Sequence, residues 1–249
     1  MRKRTKIVAT IGPASRDRET LRSLFISGAN VFRLNFSHGT PEEHAQVIAT
    51  IRSISEELGV HVSVLQDLPG PKVRTGALAD GATSVNLRAG SPFALTTENI
   101  LGNDRRVSVN YKNLPEDVVP GKMIYLADGA IALRILSRTF TDIETTVDVG
   151  GTLFPMQGIN YPEGSLNIES VTERDLEFLT FGLEHDVDWV AVSFVRSAHD
   201  VKRVKDAIAA RNKSIPVLAK IEKHEALEDI ADIISAADGI MVARGDLGI

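Results

Sequence analysis

The chain has 249 residues, 43% hydrophobic and 24% charged, with a net charge of −5 and no cysteine. That is globular composition with enough length to bury one large core or two modest ones. It excludes a disulfide-stapled scaffold and a thiolate metal centre, and it leaves no global basic field to recruit nucleic acid. No run approaches the length of a membrane span. Met1 is followed by charges and a strand rather than by a signal peptide's apolar core, so a cytoplasmic protein is expected. The basic start, RKRTK (2–6), is read as a solvated terminus.

In chain order, KIVATIG (6–12) and VFRLNFS (31–37) read as strands. A helix follows with legible ends. Thr40 is an N-cap, Pro41 takes the first helical position and Glu43 stands three after the cap. Val47, Ile51, Ile54 and Leu58 mark one helical face and Gly59 ends it. VSVLQD (62–67) is a third strand. From about Pro71 to Leu166 the rhythm changes to short β-like runs, turn signals (Ala79-Asp80-Gly81 and Ala127-Asp128-Gly129) and many threonines and valines. This stretch is read as a small all-β domain inserted after the third strand. Alternation then resumes. Thr172 to Asp175 and Ser197 to Asp200 start helices, and WVAVSF (189–194), PVLAKIE (216–222) and GIMVARGD (239–246) read as strands. The predicted domains are therefore 1–70, 71–166 and 167–249, the outer two forming one parallel α/β layer structure.

An open doubly wound sheet and a (β/α)₈ TIM barrel both fit that alternation. In the second strand Phe32, Leu34 and Phe36 form an apolar face, opposite Val31, Arg33, Asn35 and Ser37. In PVLAKIE, Lys220 and Glu222 share a face, and in GIMVARGD, Arg244 and Asp246 share one with Ile240 and Val242. Polar residues thus gather at the carboxyl ends of several strands, where barrel enzymes carry their active sites. An isolated Lys220–Glu222 pair has a bland explanation as a structural ion pair, since buried charge must be paired or bind something. Arg33, Asn35, Ser37, Asp67, Lys220, Glu222 and Asp246 together suggest more. Two carboxylates on adjacent strands suit Mg²⁺, and a lysine and an arginine facing it suit a phosphoryl group. Backbone amides at Gly245-Asp246 suit a carboxylate. The residues alone predict a Mg²⁺-dependent site for a small anionic, phosphorylated substrate, without specifying the reaction.

KIVATIGPAS, VFRLNFSHGTPEEHA, DLPGPKVRTG, VDWVAVSFVR, LAKIEKHEAL and DGIMVARGDLGI follow in order, and together they closely resemble the pyruvate kinase family from about Lys6 to the end of the chain. The resemblance implies a (β/α)₈ barrel with an all-β lid inserted after strand three. It implies transfer of the phosphoryl group of phosphoenolpyruvate to ADP, giving pyruvate and ATP, by a homo-oligomer that is a tetramer in the family. On that likeness Glu222 and Asp246 match the Mg²⁺ ligands, and Lys220 the lysine that stabilises the transferring group. Arg33 matches a phosphate-binding arginine, and Gly245 a main-chain donor to the substrate carboxylate. Asn35, Phe36, Ser37, His38 and Arg74 match nucleotide contacts. Asn35, Ser37, Asp67 and the Leu68 carbonyl match ligands of a monovalent cation, usually K⁺, and Asp128 a lid aspartate. Lys220→Met is expected to abolish transfer while largely sparing folding, because it removes transition-state charge.

The chain departs from that pattern in three respects. Lys72 stands where K⁺-dependent members carry glutamate, so a tethered ammonium is expected to replace the cation and make activity independent of K⁺. Gln157 stands where the family usually has a nucleotide-contacting lysine, and receives no site role; Pro69 and Lys223 also differ without removing a ligand. The sequence ends just after the sixth strand's motif, so the expectation is a barrel truncated there, without its seventh and eighth units or a C-terminal domain. Two other readings stand beside the enzyme. One is a non-catalytic remnant that binds phosphoenolpyruvate or nucleotide, or associates with a longer subunit. The other is a different barrel enzyme acting on phosphoenolpyruvate or pyruvate through Mg²⁺ enolate chemistry.

Overall fold

The computed structural model describes residues 4–162 and 166–248, so Arg2 and Lys3 of the basic start lie outside the described residues. The chain opens with β1 (Val8–Ile11), α1 (Arg18–Ser27), β2 (Val31–Asn35), α2 (Pro41–Leu58) and β3 (Ser63–Asp67). It continues through β4 (Val85–Leu87), β5 (Pro92–Thr96), β6 (Arg106–Ser108), the helical turn α3 (Leu114–Asp117), β7 (Met123–Leu126), β8 (Ile131–Arg138), β9 (Asp142–Val149), β10 (Gly151–Leu153) and β11 (Ile159–Asn160). Alternation returns with α4 (Glu173–Glu184), β12 (Trp189–Val192), α5 (Ala198–Ala209), β13 (Val217–Ile221), α6 (Glu225–Glu228), α7 (Ile230–Ala236), β14 (Gly239–Val242) and the turn α8 (Arg244–Leu247). The described residues form two compact units, one within 4–71 and 170–243 and the other within 72–162, 166–169 and 244–248.

The first unit holds a six-stranded sheet in the order β1-β2-β3-β12-β13-β14, and every pair in it is parallel. The order follows the chain without the reversal that defines a doubly wound sheet. Phe32, Leu34 and Phe36 are buried, as their shared face predicts. The α2 start is a complete capping box: Thr40 Oγ1 accepts from Glu43 N–H and the Glu43 carboxylate accepts from Thr40 N–H. Val47, Ile51 and Ile54 are buried on its inner face, and Gly59 ends it in the left-handed region. Capping boxes also open α4 at Thr172 and α5 at Ser197. The sequence reading passed over α1. Its signals are an Asp17 cap bonded to Thr20 N–H, buried Leu21 and Phe25 four apart, and Gly28 after the last turn.

Every strand of this sheet except β3, which ends at Asp67 as read, ends sooner than the run that announced it. The difference matters at β14, which stops at Val242. Arg244 and Asp246 fall in α8, so they do not share a strand face with Ile240 and Val242, because alternation ends where the backbone turns helical.

The second unit holds a six-stranded sheet, β11-β7-β8-β9-β5-β6, and a two-stranded one, β10-β4. All its pairs are antiparallel except β5 with β6. Inward residues alternate with outward ones: Ile124 and Leu126 on β7, and Ile143, Thr145 and Val147 on β9, point into a core shared with Phe93, Leu95, Val107 and Leu133. Each apolar side chain among these, fully buried, contributes about 1.5–3 kcal/mol of transfer free energy. Ala127-Asp128-Gly129 makes the β7–β8 turn, with φ of 53°, 53° and 91°.

Candidate functional site

The polar residues singled out in the first unit collect at the carboxyl ends of its parallel strands. Asn35 and Asp67 end β2 and β3 and lie opposite each other in register. Lys220 is on β13 and Glu222 follows it directly.

Asp67 is 1% exposed and is gripped from two sides. Arg33 Nε donates to Oδ2 at 2.7 Å, with Nη2 2.5 Å from the same oxygen, and Lys220 Nζ lies 3.1 Å from Oδ1. That ammonium is also 2.9 Å from Glu222 Oε1 and donates to Ser193 Oγ at 2.8 Å. Glu222 Oε2 accepts the Phe194 N–H at 2.7 Å. The result is a continuous run, Arg33–Asp67–Lys220–Glu222, with two positive and two negative charges. Lys220 is 8% and Glu222 4% exposed, and burial of such ions costs several kcal/mol each unless they are paired this closely. Arg33 is the one that reaches outward, a quarter exposed, with Nη1 on Thr10 Oγ1 at 3.0 Å. Removing Lys220 leaves Asp67 with Arg33 and Glu222 with only the Phe194 N–H, so Lys220→Met is expected to cost stability as well as transfer.

Sequence reasoning missed Ser193 and Phe194. They sit just past β12, two and three positions beyond Ala191, which pairs with Asp67, and their place at the end of WVAVSF was the available signal. Ser193 Oγ donates to the Leu68 carbonyl at 2.6 Å.

The other expected residues of this unit have definite places. Asn35 Oδ1 accepts from Ser37 N–H at 3.0 Å. Phe36 is buried and stacked on His44, ring centroids 4.1 Å apart, with Phe178 and Phe181 beside it. Its ring belongs to the core, and a ligand could meet Phe36 only through its backbone. His38 is exposed, and its carbonyl lies 2.9 Å from His44 Nε2. Burial pushes the His44 imidazole below its ordinary value, against the opposing pull of the His38 carbonyl and Glu43. Beside Glu222, burial likewise lowers Lys223, with Arg196 adding to the effect and Glu225 and Glu222 opposing it.

In the second unit, the Lys72 carbonyl accepts from Asn110 Nδ2 at 3.0 Å. Arg74 Nη1 donates to the Met156 carbonyl at 2.8 Å, and Gln157 N–H donates to Thr75 Oγ1 at 3.0 Å. Asp128 is exposed in the β7–β8 turn, and Gly245 and Asp246 are exposed in α8. Among the described residues no three His, Cys, Asp or Glu side chains converge as a metal-binding group.

The sequence family described as "Pyruvate kinase, barrel domain" matches residues 2–249. Pyruvate kinase 2 of Synechocystis sp. is 46% identical over 99% of the chain, which covers 42% of that protein. The pyruvate kinase of Thermococcus litoralis is also 46% identical, over 99% of the chain and 51% of the relative. That of Geobacillus stearothermophilus is 41% identical, over 100% and 43%. The chain spans about half the length of the curated relatives it matches.

Proposed function

The chain belongs to the pyruvate kinase family, and from that premise we propose that it carries this family's phosphoryl-transfer chemistry, from phosphoenolpyruvate to ADP. The observation that carries the proposal is the buried, charge-balanced run Arg33–Asp67–Lys220–Glu222 at the strand ends. In this reading the bond between phosphorus and the enol oxygen breaks as an ADP oxygen bonds to phosphorus. The enolate left behind takes a proton at its methylene carbon and becomes pyruvate. Lys220 and Arg33 neutralise the phosphoryl oxygens, from positions held before substrate arrives.

We assign Glu222 and Asp246 to Mg²⁺. Hard carboxylate oxygens suit that ion, which fills the rest of its shell with water and substrate phosphate oxygens. Glu222 fits the role, since its carboxylate has lone pairs beyond those facing Lys220 and Phe194 N–H. When bound, the ion supplies Lewis-acid neutralisation of the phosphoryl group. Gly245 N–H is assigned to the substrate carboxylate. Asn35, Ser37, His38 and Arg74 are assigned to the nucleotide, with Phe36 contributing its backbone. Asn35, Ser37, Asp67 and the Leu68 carbonyl form the monovalent-cation set, with Lys72 in place of K⁺. Asp67 already faces two cations, Arg33 and Lys220, which supports an activity that needs no K⁺.

We read 1–70 and 167–249 as the first six strands of a (β/α)₈ barrel with their intervening helices and 71–166 as the all-β lid, with Asp128 in a lid turn. The sequential, all-parallel strand order supports this. The described residues contain no helix long and apolar enough to cross a membrane. We place the protein in the cytoplasm as a homo-oligomer, with phosphoenolpyruvate and ADP as its ligands and no nucleic-acid or membrane partner.

The test is pyruvate formation from phosphoenolpyruvate by this chain in Mg²⁺, with and without ADP. ADP-dependent pyruvate is expected. A folded chain that binds phosphoenolpyruvate by calorimetry yet forms no pyruvate would assign it the non-catalytic binding role instead. Pyruvate formed without ADP would point to enolate chemistry of another kind.

A further inference from the structure

An ammonium group has three N–H donors, and Lys220 has three acceptors: Asp67 Oδ1, Glu222 Oε1 and Ser193 Oγ. Two of these are charged and one is neutral. The neutral one is buried, 2% exposed, and its single proton faces the Leu68 carbonyl at 2.6 Å, the nearer of two acceptors, with Asp67 Oδ1 at 3.4 Å. The next residue, Phe194, has φ of 54°, a region that bulky side chains rarely occupy. What this conformation achieves is direction, for the Phe194 N–H is aimed at Glu222 Oε2.

The turn has its own support. Gly70 also has positive φ, and a Cβ there would stand 2.9 Å from Phe194 Cδ2 and 3.1 Å from Ser193 Cβ. Gly70 N–H is tied to Asp175 Oδ1 at 2.9 Å, and Asp175 is the buried carboxylate that closes the capping box of α4. A helix start is thereby linked through Gly70 to the Ser193–Phe194 turn, and through the turn to both Lys220 and Glu222.

We propose that Ser193 is a positioning residue that aims the Lys220 ammonium, while the Phe194 backbone amide aims the Glu222 carboxylate. The proposal rests on the reading of Lys220 and Glu222 as phosphoryl-transfer residues. The hydroxyl is the neutral leg of the tripod, so an incoming phosphoryl oxygen displaces it more readily than either carboxylate. Without it the ammonium tilts between Asp67 and Glu222, and the Leu68 carbonyl loses its donor.

The test compares wild type with Ser193→Ala and Ser193→Thr by two readouts. The first is acylation of lysines by an amine-reactive reagent, followed by peptide mass spectrometry, with Lys205 and Lys213 as surface references. Ser193→Ala is expected to raise Lys220 labelling about tenfold relative to those references, the scale of a lost hydrogen bond to a charged group. The second is turnover, where kcat is expected to fall about ten- to hundredfold, with KM for phosphoenolpyruvate nearly unchanged. Ser193→Thr keeps the hydroxyl and is expected to restore both. Labelling and kcat of the alanine variant that stay within about twofold of wild type, against that tenfold scale, overturn the proposal. So does a threonine variant as impaired as alanine, since packing would then explain the loss. If wild type forms no pyruvate, the phosphoryl-transfer reading fails while the labelling comparison still decides the role of Ser193. If Ser193→Ala does not fold, Ser193→Cys, with its weak S–H donor, takes its place.

Discussion

The two units of this molecule treat charge in opposite ways. Among the described residues, the four charged side chains that are buried are Asp67, Asp175, Lys220 and Glu222, and all lie in the parallel α/β unit. The β-rich unit buries threonines, a serine and an apolar core, and leaves its ion pairs outside: Arg106, 36% exposed, meets Glu98 and Asp142 there. A fold that needed only stability would follow the second pattern everywhere, because well-packed apolar residues are at least as stabilising as a buried ion pair. Three of the four lie at or beside strand ends and the fourth, Asp175, closes the cap of α4, so buried charge gathers where the proposed chemistry would take place.

Experiments that break this contrast begin with the buried run. Asp67→Ala leaves Arg33 and Lys220 facing each other without their shared anion, and urea unfolding is expected to show a loss of about 3–5 kcal/mol. Lys220→Met is expected to lose a similar amount of stability and, in the pyruvate assay, at least about a hundredfold in turnover. Full stability in both variants would mean that the pairing is incidental. Lys72→Glu replaces the ammonium proposed to stand in for K⁺ and is expected to make turnover depend on K⁺, whereas the native chain should be as active in tetramethylammonium salt as in K⁺. A strong K⁺ requirement in the native chain would remove Lys72 from the site.

Smaller effects sharpen the same comparison. Gly70→Ala adds a left-handed alanine and a methyl pressed against Phe194 and Ser193, and is expected to cost about 1–3 kcal/mol in thermal or urea unfolding. Glu98→Gln in the β-rich unit breaks an exposed pair and is expected to change stability by less than about 1 kcal/mol. The smallest effect is that of His44, whose imidazole is held below its ordinary value of 6.5 by burial. The unfolded chain binds the proton more tightly there, so stability is fully present above 6.5 and is lost as pH falls toward the lowered folded-state value. His44→Gln is expected to flatten stability across that window, and an unchanged profile would show that the ring is not desolvated.

Residues whose roles are local were legible in advance. The Thr40-Pro41-Glu43 cap, the Val47–Ile51–Ile54 face and the Phe32–Leu34–Phe36 face are set by neighbours within a few positions, and the structure has them as read. Lys220 and Glu222 stood out because charge interrupted an apolar run. Ser193 carried no such mark, since a serine at the end of a strand is unremarkable until its neighbours across the sheet are known. Arg244 and Asp246 were placed on a strand face because GIMVARGD keeps its alternation on paper, yet the strand stops at Val242. Strand ends are decided by hydrogen bonding to a neighbouring strand, which a single segment does not contain.

The sequence by itself determined the family, the alternation of strands and helices, the change of texture near Pro71 and the buried lysine–glutamate pair. Those rest on periodicity, capping and long ordered motifs, all written along the chain. Only the tertiary structure decided that Asp67 joins Arg33 to Lys220, that Ser193 completes the ammonium's three contacts, and that Phe194 adopts its left-handed backbone beside Gly70. Asp67 and Ser193 are 126 positions apart and Ser193 and Lys220 are 27 apart. Contacts across such distances depend on strand register and order, which are collective properties of the sheet.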